Sequence, residues 1–122
     1  MTEPVSDRNL VVDVNDVFQV MQLTRGTELE SIVGADYVRL DPEQTSKIHR
    51  HNRAETVLYI LDGHGVIVVE DVDHNVVAGD RIRIRTGQYH GVRTGASALV
   101  FLSVQSPPIL DKSTGVLDLE PR

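Results

Sequence analysis

Apolar residues in this chain recur with a period of two. Tyr37-Val38-Arg39-Leu40, Val57-Leu58-Tyr59-Ile60-Leu61, Val66-Ile67-Val68-Val69, Arg81-Ile82-Arg83-Ile84 and Leu99-Val100-Phe101-Leu102-Ser103-Val104 are short runs rich in β-branched residues. Turn-forming residues separate them: Asp41-Pro42, Asp62-Gly63-His64-Gly65, Asp73-His74-Asn75, Ala78-Gly79-Asp80, Thr86-Gly87 and Thr94-Gly95. Successive side chains of a strand point to opposite faces, so this alternation builds half-buried strands rather than helices. Strands at a spacing of about 8–12 residues predict an all-β sandwich or barrel with little helix.

The 122 residues suit a single domain, with a barrel core over about 36–104, an N-terminal strand or arm over 1–35 and a C-terminal arm over 105–122. Residues 13–23 fit either one helical turn or an edge strand, and residues 1–9 are expected to fray. Asp62-Gly63-His64-Gly65 predicts a tight hairpin folding 56–62 back on 65–70, with 71–75 turning the chain again. Ser106-Pro107-Pro108 ends the last strand, because proline cannot donate to a ladder. The arm beyond it is expected to lie on the barrel or on a partner. Exposed sheet edges need covering, which predicts a C2 homodimer.

Charge narrows the partners. Twelve basic and eighteen acidic side chains leave a net charge of −6, which disfavours an electrostatic grip on nucleic acid or anionic membrane. Cysteine is absent, so disulfides, thiolate metal sites and cysteine nucleophiles are excluded. Apolar runs reach only five residues, as in Val57 to Leu61 and Ala98 to Leu102, far short of the roughly 18 a membrane helix needs. No signal peptide is visible, and the expectation is a cytoplasmic protein. Nucleotide-binding loops and the nucleophile elbow of serine hydrolases are also missing.

Chemistry points to histidine. His49 and His51 stand two apart at the end of a predicted strand, so their imidazoles share one face and can meet one ion. His90 follows a later pair of turns, and Glu55 lies four residues past His51. His64 and His74 fall in predicted turns and are expected to be solvated. Arg81, Arg83 and Arg85 alternate with Ile82 and Ile84. The isoleucines should face the core and the arginines the outside, with Arg85 the candidate contact for an anionic substrate.

This pattern resembles the cupin superfamily. Its first motif, His-x-His, three or four residues, Glu, six residues, Gly, is similar to His49-Arg50-His51-Asn52-Arg53-Ala54-Glu55 and the run to Gly63. Its second, Gly, five residues, Pro-x-Gly, two residues, His, three residues, Asn, is similar to Gly79 through Arg85-Thr86-Gly87 and His90 to Thr94. Arg85 replaces the usual proline and Thr94 the usual asparagine. Seven residues, not six, separate Glu55 from Gly63. Counting from His51 puts Glu55 in the acidic slot; counting back from Gly63 puts Thr56 there. The two readings exclude each other unless a bulge intervenes. If Thr56 faces in, so do Leu58 and Ile60, and Tyr59 faces out. If Glu55 faces in, so do Val57, Tyr59 and Leu61.

The resemblance implies a double-stranded β-helix, or jelly-roll barrel, holding one divalent transition metal per chain, Fe, Mn, Ni or Zn. The implied ligands are His49, His51 and His90, with Glu55 a fourth. Affinity should fall below about pH 6.5 as free imidazoles protonate. Coordination positions left open mark a catalytic site. On iron they admit substrate and O₂ side by side; on the other metals they polarise a carbonyl or activate water. The expected functions are a non-haem dioxygenase acting on a small organic molecule, a Lewis-acid isomerase, epimerase or lyase, or a non-catalytic binding protein. Glu55, Tyr59 and Arg85 are the candidate catalytic side chains.

Overall fold

A computed structural model describes residues 12–111 and 116–122; the expected fraying of 1–9 lies outside them. Among the described residues every regular element is a strand, and no helix is long and apolar enough to cross a membrane. The strands are β1 (Val12–Asn15), β2 (Phe18–Gln22), β3 (Gly34–Leu40), β4 (His49–Arg50), β5 (Glu55–Val69) and β6 (Val72–Val77). They continue as β7 (Arg81–Ile84), β8 (His90–Arg93), β9 (Leu99–Ser106), β10 (Leu110–Asp111), β11 (Val116–Leu117) and β12 (Glu120–Pro121). The stretch open to either helix or strand, 13–23, is the β1–β2 hairpin, paired through Val14↔Gln19 and Asn15↔Phe18.

All the strand pairs are antiparallel, and the main sheet runs β1-β2-β3-β9-β5-β8-β4-β12, curling on itself, with β6 and β7 also paired to β5. The first half of β5 lies between β9 and β7. Its second half lies between β6 and β8. One strand therefore serves both walls of the barrel. Leu40, Ile60, Ile67, Ile84 and Leu99 are fully buried between those walls and form the heart of the core.

The predicted hairpin at Asp62-Gly63-His64-Gly65 does not form. The chain runs straight through it as one fifteen-residue strand. The register against β9 shifts between Ile60 and Asp62, so a β-bulge, not a reversal, uses the glycine. Gly63 has φ of +78°, and a Cβ there would stand 1.9 Å from the Ala98 carbonyl oxygen. Glycine is thus required by close packing as well as by its backbone. The bulge changes the parity of burial. Thr56, Leu58 and Ile60 are buried before it, Ile67 and Val69 after it.

The true reversal comes at Glu70 and Asp71, both left-handed at φ of 47° and 65°. Two consecutive positive values are the backbone of a type I′ turn, whose twist matches the strands it joins. Asp73-His74-Asn75 consequently belongs to strand β6, not to a turn. His64 and His74 are exposed, as expected, but from strands.

The last long strand ends at Ser106, ahead of Pro107. The C-terminal arm lies on the barrel. β12 pairs β4 through Glu120↔Arg50 and Pro121↔His49. The Arg122 N–H donates to the Ile48 carbonyl, and its guanidinium forms two hydrogen bonds with Asp71 at 2.6 and 2.9 Å. Arg50 and Arg122 both stack over the Tyr89 ring, 4.8 and 5.4 Å from its centroid.

Candidate metal centre

Strands β4 and β8 bring the histidines together. His49 pairs directly with His90, and His51 follows two residues on, presenting its ring to the same face. One ring nitrogen from each lies within 4.8 Å of the others. The ring centroids stand 5.0, 4.5 and 5.0 Å apart.

Each ring is steered by a backbone carbonyl. His51 Nδ1 lies 2.6 Å from the Asp118 carbonyl oxygen and His90 Nδ1 lies 2.9 Å from that of Gln88. The His49 ring is hydrogen-bonded to the Lys47 backbone. An Nδ1–H that donates to a carbonyl leaves the Nε2 lone pair free to ligate, which is how metal-binding imidazoles are held elsewhere. Burial pushes His49 down to about 3, with nearby His90 and His51 adding to the shift. Burial likewise takes His90 to about 4 and lowers His51. Three neutral imidazoles converging on one point are a donor set that fits a divalent transition metal.

Around the histidines the chain is tied by polar contacts. The Asp118 carboxylate accepts backbone N–H bonds from Asn52, Arg53 and Ala54 at 2.7, 2.9 and 2.9 Å. Burial opposes its ionisation, yet these three donors hold its carboxyl below the usual range. Gly87 N–H donates to the His51 carbonyl at 2.8 Å. Arg85, in the proline slot, donates its N–H to Gln88 Oε1 at 2.8 Å, a bond proline could not make. Thr94, in the asparagine slot, accepts from Gln44 N–H at 2.9 Å and donates to the Asp41 carbonyl at 2.6 Å. Both departures from the motif close the loops that lead into the site.

Glu55 is not brought to the histidines. The count back from Gly63 gives the inward register: Thr56 takes the inward position and Glu55 the outward one. Thr56, Leu58 and Ile60 are buried, and Tyr59 is 44% exposed. Glu55 points outward and pairs with Arg83 at 2.7 Å. Tyr59 sits on the outer face opposite Arg81, and Arg85 is exposed. None of the three proposed catalytic side chains lines the cavity holding the histidines. Ile84 is buried, Ile82 half-buried, and Arg81, Arg83 and Arg85 face solvent, as the alternation requires.

That cavity, about 240 Å³, has the histidines on one wall. The facing wall carries Thr56, Leu58, Phe101, Ser103, Gln105 and Asp36. Gln105 Nε2 donates to Asp36 Oδ2 at 2.7 Å and to Ser103 Oγ at 2.8 Å. Burial raises the Asp36 carboxyl above its ordinary value, the Gln105 amide offsetting part of the shift. Thr56 and Leu58 face inward in one of the two registers open from the sequence, whereas Asp36, Ser103, Gln105 and Asp118 are not singled out there. A weak signal for Ser103 and Gln105 was their alternation with apolar neighbours; Asp118 had none.

A family description, Cupin domain, matches residues 36–105. The chain belongs to the cupin family. The solved structures agree on the cupin fold. Pac13 of Streptomyces, a nucleoside dehydratase, superposes with a TM-score of 0.78 at 9% identity, covering 100% of this chain and 92% of that one. A predicted oxalate decarboxylase of Thermotoga maritima gives 0.74 at 20% identity, over 86% and 99%. KdgF from Halomonas sp. gives 0.71 at 18%, over 84% and 92%. At these identities the likeness shows the fold alone. No curated protein sequence matches this cupin.

Proposed function

We propose that this cupin is a metal-dependent enzyme of small organic molecules in which His49, His51 and His90 hold one divalent transition metal, and that its chemistry is that of a non-haem dioxygenase. The observation carrying this reading is the ligand set itself. Three imidazoles with their second nitrogens fixed by carbonyls converge on one point, and among the described residues no carboxylate joins them. Neutral ligands leave the full charge of the ion available to bind substrate, and an iron centre would supply dioxygen chemistry. The chain's own residues orient the imidazoles, keep them unprotonated and enclose the substrate in a cavity lined by both apolar and polar side chains. The protein is read as one cupin domain with its core over 36–104, cytoplasmic, and as a homodimer. The outer face bearing Tyr59, Leu61 and Val104, all exposed, suits such a contact.

A Lewis-acid lyase or isomerase is the second reading. Asp36, a half-buried carboxyl in the same cavity, would supply the proton transfers such a reaction needs, and the Pac13 neighbour is a dehydratase. Protein purified without chelator or affinity tag should contain about one equivalent of metal and, when iron-loaded, consume O₂ with a substrate from a small-molecule panel. Anaerobic turnover with zinc would move the assignment to the lyase. Ligand binding without turnover would make the protein a binding module, and absence of metal would remove the proposal.

A further inference from the structure

Thr56 is 3% exposed, and its Oγ1 is buried without a hydrogen-bond partner. A buried hydroxyl left unsatisfied costs about 1–3 kcal/mol, and valine of the same shape would remove that cost. The side chain lines the cavity. Across the sheet, Thr56 pairs with Gln105, and Gln105 with Gly34. In the next row Leu58 pairs with Ser103, and Ser103 with Asp36. Four polar side chains thus form a patch two rows deep on the wall facing the histidines.

Gly34 makes room for it, since a Cβ there would stand 2.0 Å from Gln105 Oε1. The donor and acceptor balance of the patch is specific. The Gln105 amide already donates to both Asp36 and Ser103. Ser103 Oγ, having accepted that bond, retains its own proton to give. Asp36 retains carboxylate lone pairs, and Thr56 can both give and accept. A partner must therefore offer O–H donors to Asp36 and acceptors to Ser103 and Thr56 at neighbouring points, which is what adjacent hydroxyl groups do. The Asp36 carboxylate disfavours an anion at this spot.

We propose that Thr56, Ser103, Gln105 and Asp36 form a recognition site for a neutral, polyhydroxylated small molecule, with Thr56 as the specificity-determining residue. This names the substrate class for the pocket and rests on the reading of the cavity as a substrate site. It does not depend on which metal the histidines hold.

The test is titration of the purified full-length protein, metal-free and metal-loaded, with D-ribose, 2-deoxy-D-ribose and oxalate, followed by ligand-observed NMR. D-ribose should bind more tightly than 2-deoxy-D-ribose, and oxalate should not compete for its site. Thr56→Val should weaken D-ribose binding at least tenfold while its melting temperature equals or exceeds that of the parent. Ser103→Ala provides a second variant with the same expected loss of affinity. Failure of D-ribose to bind either form, or binding unchanged in both variants, overturns the proposal. Metal content, measured on the same samples, reports separately on the histidine assignment, so loss of one reading does not mask the other.

Discussion

The two walls of the cavity are built differently. The β3–β9–β5 wall follows local alternation: Val38, Leu58, Ile60 and Phe101 are buried because each occupies an inward position of a long strand. The β8–β4–β12 wall has short strands, of four, two and two residues. Its geometry comes from the C-terminal arm. Asp118 clasps the 52–54 backbone and steers His51, while Arg122 and Glu120 tie the arm to Asp71 and Arg50. The first wall is held by hydrophobic burial, the second by directional bonds to residues nearly seventy positions away in sequence. Stability and site geometry should therefore be separable by mutation.

The largest effect belongs to the first wall. Ile60 is fully buried, and Ile60→Ala should cost about 4 kcal/mol through lost burial and the cavity left behind. Denaturant titration would measure it, with the remaining folded molecules still binding metal in full. Asp118→Ala should cost about 3 kcal/mol, because three backbone donors lose an ionised acceptor. It should also lower metal affinity by about 10–100-fold as the loop beside His51 loosens. A competition titration with a chelator would read the second effect. If Asp118→Ala destabilises without touching affinity, the arm does not orient the site.

These contrasts parallel what could be read from the sequence. Alternation marks the strands of the first wall, and the His-x-His spacing puts His49 and His51 on one face. The inward register of β5 was undecided because Val57-Leu58-Tyr59-Ile60-Leu61 is apolar at both parities, which also hides the phase shift of the bulge between Ile60 and Asp62. The same bulge explains the misplaced hairpin. A glycine at positive φ serves a bend as well as a reversal, and only the packing of Gly63 on Ala98 separates the two. Asp118 escaped notice because its role depends on a long-range docking contact, not on its neighbours in sequence.

A smaller effect distinguishes the walls by pH. In the folded metal-free chain His49 lies at about 3 and His90 at about 4, against about 6.5 for a free imidazole. On acidification the unfolded chain takes up protons first, so these groups leave stability untouched above 6.5 and erode it as pH falls toward 4. Asp118, held below the usual carboxylate range, adds a loss of the same sign at still lower pH. The melting temperature of metal-free protein should fall across that window, and a His49→Ala, His90→Ala double variant should fall less. Proton competition for the metal should likewise set in below the roughly 6.5 of free histidine, since burial lowers all three imidazoles.

Smallest of all are the outer-face changes. His64→Ala and His74→Ala alter exposed side chains on β5 and β6 and should shift stability by less than about 0.5 kcal/mol, with metal content unchanged.

Elemental analysis of metal-loaded, extensively dialysed protein tests the central assignment in one comparison among the parent, Glu55→Gln and His51→Ala. One metal per chain is expected for the parent, one for Glu55→Gln and close to none for His51→Ala. Loss of metal from Glu55→Gln, or a full equivalent retained by His51→Ala, would contradict that assignment.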